Sequence, residues 1–177
     1  MPGHVHSKPA TLARAGSNHQ FSDKETRTPM ATTLQEILLA EDKRPHVVDD
    51  CIKLIDNEVS ETSGVSGAAV KVAYKTASAF MSGYIRKTVE TMLPDIVAAL
   101  ESYWADFNAS GGSDFGDYLA KNGEQVAESL LAVSDDHAAK SDRPTIIKAY
   151  HAVRGGAAKH IEAALPAAGK LVAKYAA

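Results

Sequence analysis

Residues 83–107, GYIRKTVETMLPDIVAALESYWADF, place their large apolar side chains on one side of an α-helix. These side chains recur every three or four residues, and they are Ile85, Val89, Met92, Ile96, Leu100, Tyr103 and Phe107. The same phase continues past Pro94, which falls on the opposite, solvent side. Water can satisfy the carbonyl that a proline frees there, so we predict one long helix that is kinked but not ended at Pro94.

The chain on both sides of this stretch repeats the helical period, and no segment alternates polar and apolar residues between hairpin turns. We therefore predict an all-α fold, a single compact bundle of about six to eight helices. Pro45 and Pro144 are each placed to open a helix, and Thr33 with Glu36 has the spacing of a capping box.

Two further helices are predicted with their positions in the bundle. Residues 65–80 are apolar on most sides, so we expect this helix to be central. The last helix, from Pro144 to Tyr175, carries Gly155-Gly156 and Pro166. We expect it to be interrupted at the two glycines and bent again at the proline.

Residues 1–29 differ from the rest of the chain, because they combine proline, glycine and polar residues with few large apolar ones. Such a segment cannot bury enough surface to offset its ordering entropy. We predict a disordered extension at residues 1–29, either a natural tail, a tag-like remnant or the product of an upstream start. The helical domain is then residues 30–177.

Two stretches of the domain share the pattern G-x3-K-x-[VI]-E-x2-L-P, one from Gly83 to Pro94 and the other from Gly155 to Pro166. One interpretation is an internal repeat, which makes the bundle pseudo-symmetric. The alternative is chance, since alanine, lysine, glutamate and leucine are common in any helical chain.

Charge is distributed unevenly along the domain. Residues 30–177 carry 15 basic and 20 acidic residues, a net charge of −5, which argues against nucleic acid as a partner. Two segments, residues 62–89 and 143–161, nevertheless contain bases and no acid. If the two segments pack together, their bases form a patch for an acidic protein or a small anion. The candidate residues are Lys71, Lys75, Arg86, Lys87, Lys148, Arg154 and Lys159, with Arg143 beside them. The alternative is that these bases are solvated or paired with acids on neighbouring helices.

The sequence lacks several chemical signatures. No histidine has an acidic residue three positions before it, and no His-x3-His pair occurs, so we predict no metal site and no cofactor. Cys51 is the only cysteine, which excludes an internal disulfide and favours a buried structural thiol. The longest uncharged run is ten residues, about half of the ~20 that a transmembrane helix needs. No signal peptide is evident, and we expect a cytoplasmic protein.

The domain resembles a family of small uncharacterised bacterial helical proteins. The resemblance rests on TLQEILL at residues 33–39, GVSGAAVKVAYK at residues 64–75 and IKAY at residues 147–150, and it covers residues 30–177. It implies a cytoplasmic bacterial setting and no activity or site residues.

Two functions remain open from the sequence. The first is a non-enzymatic binding or scaffold protein that uses the basic patch for an acidic partner or a small anion. The second is an enzyme that acts on a phosphorylated or carboxylated metabolite. In that case His151 or His160, which flank the Gly155-Gly156 pair and would meet across a turn there, is the acid or base.

Overall fold

The computed structural model describes residues 32–80 and 83–177. All regular structure in these ranges is α-helical, and it forms seven helices, which confirms the predicted fold class. The helices are α1 (Leu34–Leu38), α2 (Arg44–Glu61), α3 (Gly64–Phe80), α4 (Tyr84–Ala109), α5 (Phe115–Lys121), α6 (Gly123–Ala139) and α7 (Pro144–Ala176). The predicted extension at residues 1–29 lies outside the described residues.

The helix starts follow local sequence signals. At α1 the Thr33 hydroxyl accepts from the Glu36 amide at 3.2 Å while the Glu36 carboxylate accepts from the Thr33 amide at 3.0 Å, which confirms the capping box. Asp114 caps α5 by accepting from the Asp117 amide at 3.0 Å. Pro144 opens α7, where a missing amide costs nothing.

The core is apolar and draws on six of these helices. Its buried side chains are Leu34, Ile37, Leu38, Val47, Val48, Leu93, Val97, Leu100, Phe107, Phe115, Leu119, Val126, Leu165 and Val172. On α4 the buried line is centred on Val97, and Ile96 is half-buried beside it. Pro94 lies inside α4, which runs through it as predicted, and the proline is half-buried, not fully exposed.

Aromatic rings at the end of α4 and the start of α5 pack together beside the loop that joins these two helices. Trp104 meets Phe115 edge to face, with ring centres 5.0 Å apart, and Phe107 lies 5.2 Å from the same ring. A side chain at Gly112 would place its Cβ 2.4 Å from the Phe107 ring, so the loop closes directly over that ring. These rings anchor the loop by packing.

The long helix α7 contacts every other helix of the bundle except α4 closely, and α5 and α6 share the most surface with it. At the crossing with α5 the backbones touch, because a Cβ built on Gly169 would lie 2.2 Å from the Gly116 Cα. Only glycine at both positions allows this approach. The helix also continues without a break through Gly155-Gly156, so the predicted interruption there is wrong.

Helix α3 is peripheral, and the prediction that it is central is wrong. Val65 is 92% exposed and Val72 is 66% exposed, whereas Ala69, Ala73 and Ala77 are half-buried. The helix is apolar on most sides, but none of its described side chains belongs to the buried core, and its larger side chains Val70 and Tyr74 are only half-buried. Leu165 and Val172 of α7 are among the side chains that fill the interior instead.

Candidate functional site

The two acid-free segments lie next to each other in the bundle. Helix α3 packs on α7, where a Cβ on Gly156 would lie 3.4 Å from the Ser66 Cβ. At the other end of the segments, the Arg143 guanidinium lies over the Tyr84 ring, 5.9 Å from its centre. The seven predicted anion-binding residues therefore occupy three neighbouring elements, α3, the start of α4 and the first half of α7.

Arg154 is fully engaged within the bundle. Its guanidinium forms two parallel hydrogen bonds with the Asp135 carboxylate of α6, at 2.8 and 2.9 Å, and the Tyr150 hydroxyl donates to the same carboxylate at 2.6 Å. Glu128 adds a longer ion pair at 3.8 Å. The Arg154 hydrogen bonds lower the pKa of Asp135, and burial together with the Asp135 contact raises the pKa of Tyr150. Arg154 thus serves helix packing and is not available to a ligand.

Arg86 is engaged in the same way. Its guanidinium contacts the Asp49 carboxylate of α2 and lies 3.7 Å from the Glu90 carboxylate one turn along α4. The hydrogen bond from Arg86 lowers the pKa of Asp49. Both arginines of the predicted set are therefore neutralised by acids outside their own segments.

The five lysines of the predicted set are exposed. They are Lys71 and Lys75 on α3, Lys87 on α4, and Lys148 and Lys159 on α7. No acidic side chain in residues 32–80 or 83–177 forms an ion pair with any of them. Lys71 and Lys75 lie one turn apart, whereas Lys148 and Lys159 are separated by about three turns of α7. The free cations of this region are thus all lysines.

The exposed side of α3 carries a regular row of four small apolar residues and one lysine. We call this row the α3 seam, and it consists of Val65, Ala68, Val72, Lys75 and Ala79, all exposed. Their spacings alternate between three and four residues, which is the spacing of one face of a packed helix pair. Lys71 adjoins Val72, and α3 contains no acidic residue. The seam is therefore apolar along its length and cationic in its second half.

A cleft of about 310 Å³ lies between α4, α6 and the start of α7. Its lining combines one lysine, one histidine, hydroxyl groups and apolar side chains, namely Tyr84, Lys87, Thr88, Thr91, Met92, Ser134, His137, Ala138, Ser141, Ile146 and Tyr150. The His137 Nε2 lies 2.9 Å from an Asp95 carboxylate oxygen. We call this space the α4–α6–α7 cleft.

Of the cleft residues, sequence reasoning identified only Lys87 as a candidate. His137 and Ser134 come from α6, whose segment carries acids and was not singled out. Tyr150 stands in the motif IKAY, but nothing in the local sequence shows that it faces α6. Only the α6–α7 pairing brings these side chains together.

The two histidines proposed as acid and base do not meet. Because α7 is continuous, His151 and His160 project about half a turn apart and lie about 13 Å apart along the axis. The His160 Nδ1 lies 3.1 Å from the Thr62 hydroxyl, and its Nε2 is buried with no hydrogen-bond partner among the described residues. His151 is exposed beside the Tyr150 ring. The expected meeting across a turn is therefore wrong.

Further features of the described part of the chain concern metal ligands, thiol reactivity and membrane-spanning helices. No group of three metal-ligating side chains lies together there. Cys51 is half-buried, and burial raises the pKa of its thiol to about 11, so the thiol stays protonated near neutral pH. Among the helices described, none combines the length and apolarity that crossing a membrane requires.

The chain belongs to a family of unknown function, DUF6918, whose sequence profile matches residues 34–176. This match agrees with the resemblance noted from the sequence and includes all seven helices. No curated protein and no solved structure matches the chain.

Proposed function

We propose that this chain is a helical binding protein that docks an acidic amphipathic helix of a partner protein onto the α3 seam. We place the interaction in the bacterial cytoplasm, as the composition and the family resemblance lead us to expect. The observation that carries the proposal is the exposure of Val65 and Val72, at 92% and 66%, on a helix whose polar groups are basic or neutral.

The spacing of the seam favours a helix as its occupant. Side chains three and four residues apart form the row that a second helix covers in knobs-into-holes packing. Valine and alanine are short, so a partner helix can approach closely along Val65, Ala68 and Val72. Because the seam is already helical, docking requires little ordering on this side of the interface.

Charge favours an acidic occupant. Lys75 lies within the seam and Lys71 beside it, and neither has an ion-pair partner in the described ranges. A glutamate or aspartate opposite them would gain attraction without breaking an existing pair. Lys71 and Lys75 share this availability with the other exposed lysines of the predicted patch, in contrast to the paired Arg86 and Arg154, and they are the ones that adjoin the exposed valines.

A lipid surface is the competing occupant, and the seam fits it less well. Helices that lie in the membrane interface bury tryptophan, phenylalanine or leucine, whereas the seam presents valine and alanine. Two exposed valines offer little area for insertion into acyl chains.

The test uses site-specific cross-linking in the full chain. A photo-reactive residue at position 72 should capture one predominant protein with an acidic amphipathic helix, and the cross-link should map to that helix. The K71E/K75E variant should lose the capture, because it reverses the charge opposite the partner. Capture by K71E/K75E should return with a partner variant that carries lysine in place of its acidic residues. That result would establish the direct contact.

The matched control reverses two exposed lysines on other helices, K121E/K170E, which changes the net charge by the same amount. This control should keep the capture. Equal capture by K71E/K75E and by wild type would overturn the proposal, and so would binding of the chain to anionic vesicles that depends on Val72 while no protein is captured.

A further inference from the structure

We infer that the α4–α6–α7 cleft binds a small monocarboxylate that has an apolar body. This inference does not depend on the α3 seam, because the cleft lies between other helices and shares none of the seam residues. It assigns Lys87 to the carboxylate and the apolar lining to the body of the ligand.

Lys87 is the cation that the cleft offers to an anion. No carboxylate in the described ranges pairs with its ammonium group. Glu90, which lies one turn along α4 from Lys87, is within 3.7 Å of Arg86 instead. Lys87 can therefore pair with a ligand without first leaving a partner.

Four of the hydroxyl groups that line the cleft are already engaged as donors, and the Ser141 hydroxyl oxygen accepts from the Arg143 amide at 3.3 Å. Thr88 donates to the Tyr84 carbonyl at 2.9 Å, Ser134 donates to the Leu130 carbonyl at 3.2 Å, and Tyr150 donates to Asp135. The Thr91 hydroxyl likewise donates to a carbonyl of its own helix. A phosphate needs several donors and carries up to two charges, so one ammonium group suits a single carboxylate better.

His137 does not supply a second free cation. Its Nε2 lies 2.9 Å from the Asp95 carboxylate, so a protonated imidazole is balanced by that acid. A doubly charged ligand would therefore find only one free positive charge in the described part of the cleft, that of Lys87. Its second negative charge would stay unpaired. This balance limits the ligand to one negative charge.

The rest of the lining is apolar and sets the size of the ligand. Met92, Ala138 and Ile146 are half-buried and line the cleft from three different helices. The volume of about 310 Å³ is at the lower end of the roughly 300–1,000 Å³ that small-molecule sites occupy. The cleft therefore fits a short aliphatic or single-ring carboxylate.

The test is a titration of the full chain with hexanoate, followed by amide NMR shifts. Hexanoate should shift the amide signals of Thr88, Ser134 and Ile146 in a saturable way. The neutral analogue 1-hexanol should bind at least about tenfold more weakly, because it cannot form a charge-assisted hydrogen bond with Lys87. Hexyl phosphate should bind no better than hexanoate.

Two variants complete the experiment. K87Q should lose at least about tenfold in hexanoate affinity, which corresponds to 1.4 kcal/mol, while K121Q, which removes an exposed lysine of α5, should bind like wild type. If K87Q is unfolded, the 1-hexanol comparison on wild type still decides the question. Absence of saturable shifts, equal binding of 1-hexanol, tighter binding of hexyl phosphate or unchanged binding by folded K87Q would each overturn the inference.

Discussion

Asp135 on α6 and Arg154 on α7 are joined by two parallel hydrogen bonds, at 2.8 and 2.9 Å, although they are 19 residues apart in the chain. The Tyr150 hydroxyl completes the group by donating to the same carboxylate. The charge pattern predicts Arg154 as a ligand-binding residue, but its side chain instead links α6 to α7 through hydrogen bonds. The lysines of the acid-free segments, which form no such ties in the described ranges, are left for binding.

We expect the Asp135–Arg154 pair to be coupled energetically. In a double-mutant cycle, D135N and R154M should each destabilise the fold, and the double variant should lose less than the sum, because bidentate geometry and Tyr150 hold both groups in place. Urea denaturation measures the three free energies. The reference is the Asp136–Lys140 surface pair, which should show little coupling. Similar coupling in both pairs would contradict the assigned role of Arg154.

Two glycines of α7 should respond to alanine with opposite signs. G169A should destabilise the protein by about 1–3 kcal/mol or more, because its Cβ would meet the backbone of Gly116, which cannot move aside like a side chain. G155A should stabilise it by about 0.5–1 kcal/mol, since its Cβ meets nothing within 4 Å in a continuous helix. Thermal and urea denaturation of both variants give the comparison. Destabilisation by G155A would contradict an unbroken α7.

Asp50 should make stability depend on pH in acid. Hydrogen bonds from Lys174 and Tyr175 lower the pKa of the Asp50 carboxyl from its ordinary value of 3.8 to about 2. Because the folded-state pKa is the lower one, the stabilisation is complete above about pH 4 and is lost as the pH falls toward 2. Urea denaturation between pH 5 and 2 should show a shallower loss for D50N than for wild type. D142N, which changes an almost fully exposed side chain, should keep the wild-type slope.

Cys51 should react slowly while the chain is folded. With its pKa raised to about 11 by burial, its thiolate fraction at pH 8 is about a hundredfold below that of an unfolded cysteine. The rate of reaction with a disulfide reagent, followed with and without denaturant, measures this difference on the only cysteine of the chain. Comparable rates in both states would show that the thiol is accessible and reactive.

The elements that the sequence predicted correctly are those with local causes. The capping box at Thr33, the start of α7 at Pro144 and the passage of α4 through Pro94 depend on residues within a few positions of each other. These signals define helix starts and lengths without any knowledge of the bundle. They account for the fold class and for the starts of α1 and α7.

The predictions that were wrong concern features that depend on contacts between residues far apart in the chain. Gly155-Gly156 has the composition of a break, but α7 is continuous through both positions and packs on α3 beside Gly156, a contact that the local sequence does not show. The apolar positions of α3 predict burial, yet the buried core is formed by side chains of the other six helices, and which apolar faces meet there depends on helix packing that the local sequence does not show. For the candidate site, the sequence located the lysines but could not show that Arg86 and Arg154 are paired from α2 and α6.

The glycine contact between α5 and α7 fixes the geometry of one helix crossing. With no side chains between Gly116 and Gly169, the crossing has no adaptable layer, so the two helices must tilt together or not at all. Helix α3 is attached differently, through half-buried side chains that include Val70 and Tyr74 and through the hydrogen bond that the Tyr74 hydroxyl donates to the Asp56 carboxylate of α2. We therefore expect any adjustment that accompanies docking on α3 to leave the geometry of the α5–α7 crossing unchanged.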